Sequence, residues 1–390
     1  MRITDVTTIR LRYQPPIAMA DAIHFMPERT AILVQVHTDT GLIGIGESAA
    51  YGGALTSIER VVLDDLAPIV IGESPFMVER AWARMAHRTH QRGQKGLLQM
   101  ALSGIDIALW DVIGQATKTP LYQLLGGYRD RLVAYASAGF YAANKGPEEL
   151  AEEVREYVAR GFRHVKIKVG RNPEVVLNPL ENMWAPEYAT ASLDEDVARV
   201  RAARGAIGDG IGLAIDANNA WNPSVALSFM RQVEPMKIAW LEEPVATDDY
   251  AGSAQVARQL ATPVAGYETE SSLGGFRQLI ASGAVDIVQP DVIWSGGISE
   301  TRRIAALAQA YRRPIIPHVF SSGVALVANM HLIASIPNGS LLEFDQNPNP
   351  LRDELFIEPI TIAADGTVAL PDGPGLGVTL NPDTIARYRI

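Results

Sequence analysis

The sequence predicts an α/β protein, a (β/α)8 barrel with a smaller α+β domain in front of it, and three observations carry that expectation. The chain has 390 residues, room for a barrel of ~250 residues and roughly 140 more. Residues 1–130 read as strands and then helices, the order of an α+β domain. From Arg131 onward, short apolar strands alternate with helix-length segments. Repeated βα units pair their strands in parallel, and eight of them imply closure.

Within 1–130, residues 30–38 are β-rich, Asp39-Thr40-Gly41 is a turn, and 42–47 resume an apolar alternation, which together read as a hairpin. The period becomes helical over about 57–125, with Leu97, Met100, Ala101, Gly104, Ile105, Ala108 and Leu109 at three- and four-residue spacing. Thr119-Pro120 and Gly126-Gly127 then punctuate the chain. The barrel region, 131–350, offers strands at 132–136, 164–169, 211–215, 238–241, 263–266, 285–289, 314–316 and 340–342. Residues 351–390, with Pro359, Pro371 and Pro374, leave the repeat and are expected to return to the first domain. Gly170 to Ser192 also breaks the pattern, with Pro173, Pro179, Pro186, Trp184 and Tyr188, and reads as a lid or interface arm.

Composition narrows the function classes. Hydrophobic residues are 47% and charged residues 20%, an ordinary globular balance, and 34 basic against 44 acidic residues leave a net charge of −10. Neither nucleic acid nor an anionic membrane is an expected partner of such a chain, whereas a small carboxylate in a locally positive pocket is. With no cysteine, disulfides, thiolate zinc sites, iron–sulfur clusters and cysteine nucleophiles are excluded. Met1-Arg2-Ile3-Thr4-Asp5-Val6 lacks a signal-peptide pattern and no run of ~18 uninterrupted apolar residues occurs, so a cytoplasmic location is expected.

Barrel enzymes place their chemistry where the strands end, and here the ends carry charge one after another. Lys166 and Lys168 end the second strand, Asp216 (followed by Asn218) the third, Glu242 the fourth, Glu268 the fifth, Asp291 the sixth, His318 the seventh and Glu343 the eighth. From Asp216 the intervals are 26, 26, 23, 27 and 25 residues, one βα unit per charge. Asp216, Glu242 and Glu268 on consecutive strands would converge, and like charges that close repel unless a cation sits among them. An all-oxygen set favours Mg²⁺ over zinc or copper. Glu243 is expected on the opposite face from Glu242. Lys166 and Lys168 share one face, and their mutual repulsion is expected to lower one pKa and make it a usable base. Asp291 and His318 would form a dyad that fixes the imidazole tautomer, with Glu343 beside it as either a neutral hydrogen-bond donor or a plain rim carboxylate. His24, in a loop with Phe25 and Met26, and Tyr51, before the hinge-like Gly52-Gly53, are expected to cover the mouth and help bind substrate.

With these residues in place, the chain resembles the enolase superfamily in its mandelate racemase subgroup. The resemblance covers nearly the whole length, including the run Ala101-Leu102-Ser103-Gly104-Ile105-Asp106-Ile107-Ala108-Leu109-Trp110-Asp111 and the tail Pro371-Asp372-Gly373-Pro374-Gly375-Leu376-Gly377. It implies a modified TIM barrel under an N-terminal capping domain, with Asp216, Glu242 and Glu268 as Mg²⁺ ligands. By the same resemblance, Lys168 and the His318–Asp291 pair are acid/bases on opposite faces. Lys166 then binds the substrate carboxylate and Glu343 the enediolate; Asn218, two residues beyond Asp216, is a further candidate for substrate binding. Glu343-Phe344-Asp345, Asn349-Pro350-Leu351-Arg352 and the tail are most similar to galactarolactone cycloisomerases and acid-sugar dehydratases, although Gly170–Ser192 departs from that pattern. The implied activity is proton abstraction next to a carboxylate, then elimination from an acid sugar by dehydration or lactone opening, in a homo-oligomer. Racemisation or epimerisation of a 2-substituted acid uses the same residues, and a barrel kept for binding without turnover is the third reading.

Overall fold

The structure, a computed structural model, describes residues 1–50, 54–175 and 190–390. The chain opens with β1 (Ile3–Tyr13), β2 (Met19–Ala20), β3 (Phe25–Met26), β4 (Arg29–Thr38) and β5 (Ile43–Ser48). β1, β4 and β5 form an antiparallel sheet, and β2 pairs with β3 as a small hairpin whose Ala20 bridges to Tyr141 of the barrel. The helix Leu97–Thr117 lies against β5 so closely that a Cβ on Gly46 would sit 2.0 Å from the Gly104 carbonyl oxygen. Glycine at both positions lets strand and helix backbones touch. This helix is long and apolar enough to cross a membrane, yet 83% of its apolar window is buried between sheet and barrel, which makes it a core helix.

The barrel strands are β6 (Arg131–Ser137), β7 (His164–Lys168), β8 (Gly212–Asp216), β9 (Ile238–Glu242), β10 (Val264–Gly266), β11 (Ile287–Val288) and β12 (Leu342–Asp345). They run parallel in the order β11-β10-β9-β8-β7-β6-β12. The expected strand at 314–316 is reduced to Ile315, which bridges Val288 on one side and Gly339 on the other and closes the ring. Pro314 and Pro317 flank it, and a proline has no N–H to give to a ladder. Pro290 lies just beyond the shortened β11 in the same way. Helices Pro147–Ala159, Leu193–Ile207, Pro223–Val233, Tyr250–Gln259, Ser272–Ala281, Gly297–Ala310 and Gly323–Ser335 follow the first seven strand positions. β12 is followed by the short helix Pro350–Asp353 in place of a full-length barrel helix, so the barrel is a modified TIM barrel rather than eight full βα units.

The capping domain is fastened to the barrel by buried polar contacts. Ser103 Oγ accepts the N–H groups of Gly296 and Gly297, and Asp106 accepts both the N–H (2.9 Å) and the hydroxyl (2.6 Å) of Ser299. A helix start has unsatisfied N–H groups, and the cap's long helix satisfies those of Gly297–Ala310. The C-terminal segment adds β13 (Thr367–Ala369), antiparallel to β6, and then reaches the first sheet, where Arg389 bridges Leu11 and Tyr388 packs edge-on to Tyr13.

Candidate active site

Because strand register repeats, side chains at matching positions stand side by side: Lys168 pairs with Asp216, and Asp216 with Glu242. On β7 both lysines turn inward and are buried, Lys166 at 0% and Lys168 at 6% exposure. Lys168 Nζ donates to Asp216, Lys166 Nζ donates to Glu242, and Lys166 also lies 2.8 Å from Glu343 and 3.7 Å from Asp216. On the far side of Glu242, its Oε2 accepts from Trp240 Nε1 and from Gln289 Nε2, each at 2.9 Å. Sequence reasoning missed both donors. The signal was there, since Trp240 precedes Glu242 by two on one strand and Gln289 precedes Asp291 by two, the same-face spacing.

This packing overturns the expected lysine chemistry. Burial acts to lower both lysines, but the adjacent carboxylates outweigh it and hold both above the usual ammonium range. In return, although burial opposes it, Lys168 and Lys166 keep Asp216 ionised down to about 2. Of the two readings of Glu343, the neutral donor gives way to the carboxylate: burial would favour its neutral form, but Lys166 and then His318 hold it at about 2, so it is an acceptor and takes the Val319 N–H at 2.8 Å.

His318 and Asp291 meet as expected, with Nδ1 2.9 Å from the carboxylate, and Asn329 Nδ2 fixes the other Asp291 oxygen at 3.1 Å. His318 Nε2 points toward Glu268, 3.6 Å away. Burial would lower His318, but Glu268, Asp291 and Glu343 raise it to about 9. Glu243, at a φ of +45° just past the end of β9, is buried, and its carboxylate accepts from Asn219 Nδ2 (2.6 Å) and from the N–H of Glu268 (3.0 Å).

Two aromatic rings separate Lys168 from His318. Lys168 Nζ sits 4.9 Å over Phe140, Phe140 stacks on Phe320 at 5.3 Å, and the His318 ring lies 6.3 Å from Phe320. Neither ring was singled out from sequence, because each leaves its strand on a loop where periodicity says nothing. His24 side-chain Nδ1 lies 3.1 Å from Asp21 Oδ2, and Asp21 also accepts the N–H groups of Ile23 and His24. Burial lowers His24, but Asp21 and then Glu268 raise it above its ordinary value. Tyr51, Trp184 and Tyr188 lie outside the described residues.

The donor set bears on a cation. Three carboxylates and the Asn218 Oδ1, a buried acceptor with no hydrogen-bond partner, are hard oxygen ligands of the kind Mg²⁺ takes. Among the described residues, no three His, Asp or Glu side chains are arranged to hold a metal as they stand. The lysine ammonium groups occupy Asp216 and Glu242 instead, so the set fits such an ion by chemistry and requires the lysines to yield those oxygens.

Residues 3–126 match the family described as mandelate racemase / muconate lactonizing enzyme, N-terminal domain, and residues 149–384 match the one described as enolase C-terminal domain-like. Arabinonate dehydratase of Saccharolobus solfataricus is 34% identical over 394 residues, covering 99% of both chains. D-galactarolactone cycloisomerase of Agrobacterium fabrum is 34% identical over 400 residues, covering 100% of this chain and 99% of the relative. A crystal structure of a racemase from Streptomyces coelicolor with bound magnesium superposes with a TM-score of 0.86 at 30% identity, covering all of both chains. Two matched families spanning most of the chain, over a capped barrel with this row of strand-end charges, leave one assignment: the protein belongs to the enolase superfamily of enzymes, in the mandelate racemase/muconate lactonizing enzyme subgroup.

Proposed function

We propose that this enzyme abstracts the proton next to the carboxylate of an acid sugar and eliminates a β-oxygen, as a dehydratase or a lactone-opening cycloisomerase. The observation that supports it best is the burial of two acid/base candidates, Lys168 and His318, at strand ends of one barrel and linked through the Phe140–Phe320 ring pair. Lys166, wholly buried beside Glu242 and Glu343, is a fixed positive charge suited to a substrate carboxylate. One of Lys168 and His318, after releasing its own proton to solvent, takes the α-proton, and the C–H electron pair moves into the carboxylate to form an enediolate. When that pair returns, the C–O bond at the β-carbon breaks, and the opposite residue gives the leaving oxygen its proton. Asp291 holds His318 in the tautomer that presents Nε2. Asn218 and Glu343 are assigned to the substrate's oxygens, and His24 to its distal end. Mg²⁺, held by Asp216, Glu242 and Glu268, would stabilise the second negative charge of the enediolate and draw Asp216 away from Lys168.

With a net charge of −10, the reading takes small carboxylates as partners and neither nucleic acid nor membrane, in a cytoplasmic homo-oligomer. The test is a panel of acid sugars and their lactones, incubated with and without Mg²⁺, with products followed by NMR in D₂O. A 2-keto acid or an opened lactone formed only with Mg²⁺ is the expected outcome, lost in both Lys168→Ala and His318→Asn. Deuterium incorporation at the α-carbon with inverted configuration and no elimination would favour the racemase reading. No turnover or exchange across the panel would sink both.

A further inference from the structure

The loop that leaves the seventh strand position, 317–322, carries His318 and Phe320, and the cap holds it with two buried side chains, Arg29 and Glu47. From β4, Arg29 Nη2 donates to the Phe320 carbonyl at 3.1 Å while its guanidinium lies 3.7 Å above the Phe320 ring. The same nitrogen reaches Asp345, at the end of β12, at 2.9 Å. From β5, Glu47 accepts the hydroxyls of Ser321 and Ser322 and the N–H groups of Ser322 (3.3 Å) and Ala325 (2.9 Å). Arg29 is 4% exposed and Glu47 0%. Burying a polar or charged group is costly unless hydrogen bonds replace its water, and here, apart from Asp345 on Arg29, the replacements come from residues 320–325 of the barrel. The barrel's own hold on that segment includes Val319 N–H on Glu343 and Asn349 Nδ2 on the Ser321 carbonyl, both 2.8 Å.

Fastening the cap does not by itself require these contacts. Ser103, Asp106 and Trp110 already join cap to barrel at Gly296–Ser299 without touching the His318 loop. Arg29 holds Phe320 itself and Glu47 the residues just after it, and the Phe320 ring stacks on Phe140 under Lys168 and lies 6.3 Å from the His318 ring.

We infer that Arg29 and Glu47 are positioning residues for His318, so that the docked cap sets the place of the acid/base on that face of the substrate. The inference rests on the role given to His318 above, and the experiment separates the two. Histidines are labelled with ¹³C at Cε1, and the His318 signal among the seven histidines is assigned with His318→Asn. Arg29→Met and Glu47→Gln should each shift or split the His318 signal and leave that of His331 in place. On the best acid sugar, kcat should fall about tenfold or more with KM within about threefold, as expected when a reacting group is misplaced by a fraction of an ångström. Ser321→Ala, which removes one hydroxyl from Glu47, should show the same NMR change more mildly and covers the case in which a charge variant does not fold. Asp106→Asn, at the other fastening, should leave the His318 signal in place. An unmoved His318 signal in folded Arg29→Met, Glu47→Gln and Ser321→Ala would overturn the inference whatever the activity. A raised KM with kcat kept would overturn it too, and would make Arg29, whose buried Nη1 has no partner, a ligand for the substrate. Loss of all turnover in the wild type with a shifted His318 signal in the variants would instead count only against the proposed reaction.

Discussion

Lys168 shows how one side chain depends on its neighbours. From sequence it is one of two lysines repelling each other, but in the fold it donates to Asp216, and the carboxylates around it favour its charged form. A divalent cation and the Lys168 ammonium therefore compete for the same oxygens. Calorimetric titration of chelator-stripped protein with Mg²⁺ should show one site that Glu242→Gln or Glu268→Gln weakens severely. Lys168→Ala should act in the opposite direction and tighten Mg²⁺ binding by about tenfold or more, because it removes a like charge at contact distance. Equal affinity in wild type and Lys168→Ala would mean that the ammonium and the cation do not share Asp216.

Between elements, the decisive contact is that of β5 with the helix Leu97–Thr117. Gly44 and Gly46 on the strand and Gly104 on the helix leave no room for a Cβ, the Gly46 position being 2.0 Å from a carbonyl oxygen. Asp111 on the same helix completes the joint by accepting the N–H groups of Ile45 (2.9 Å) and Leu376 (2.7 Å), which binds sheet, helix and tail to one carboxylate. Gly46→Ala forces strand and helix apart, and overpacking of this kind costs about 1–3 kcal/mol. Since β5 also carries Glu47, denaturant titration should show a stability loss of that size. An unchanged midpoint would mean that the joint yields without cost. The run around Gly104 was legible as a motif in the sequence, but its partner strand was not, because a close approach between elements leaves no periodic trace.

Across the whole molecule, buried carboxylates tie stability to pH. Burial raises Glu47 and Asp106 to about 7 and Asp111 to about 6, with their hydrogen bonds only partly opposing it. A carboxyl raised in the folded state keeps its proton where the unfolded chain has released it, so the folded form binds more protons. The contribution of these three groups is greatest below the ordinary carboxylate pKa and is lost as pH rises from about 4 to 7. Tm measured across that window should show this loss, and Asp106→Asn, which keeps an acceptor for the Ser299 N–H, should flatten it. A Tm profile of the variant parallel to that of the wild type would exclude Asp106 as a source.

The sequence by itself determined the βα repeat, the hairpin and long helix of the cap, and the row of charges from Lys166 to Glu343, because a strand of period two in a parallel sheet puts its last inward residue at the rim each time. It placed Asp291 beside His318 for the same reason. What it could not settle were quantities that depend on distances between strands and loops. The protonation of Lys168 and Glu343 follows from which opposite charge is nearest, and that is set by side chains from four strands at once. The burial of Glu243 comes with a positive φ just past the end of a strand. Only the tertiary structure brought Arg29 and Glu47, 289 and 271 residues before His318 in sequence, against the loop that carries it, since a contact between two domains is written in neither one's periodicity.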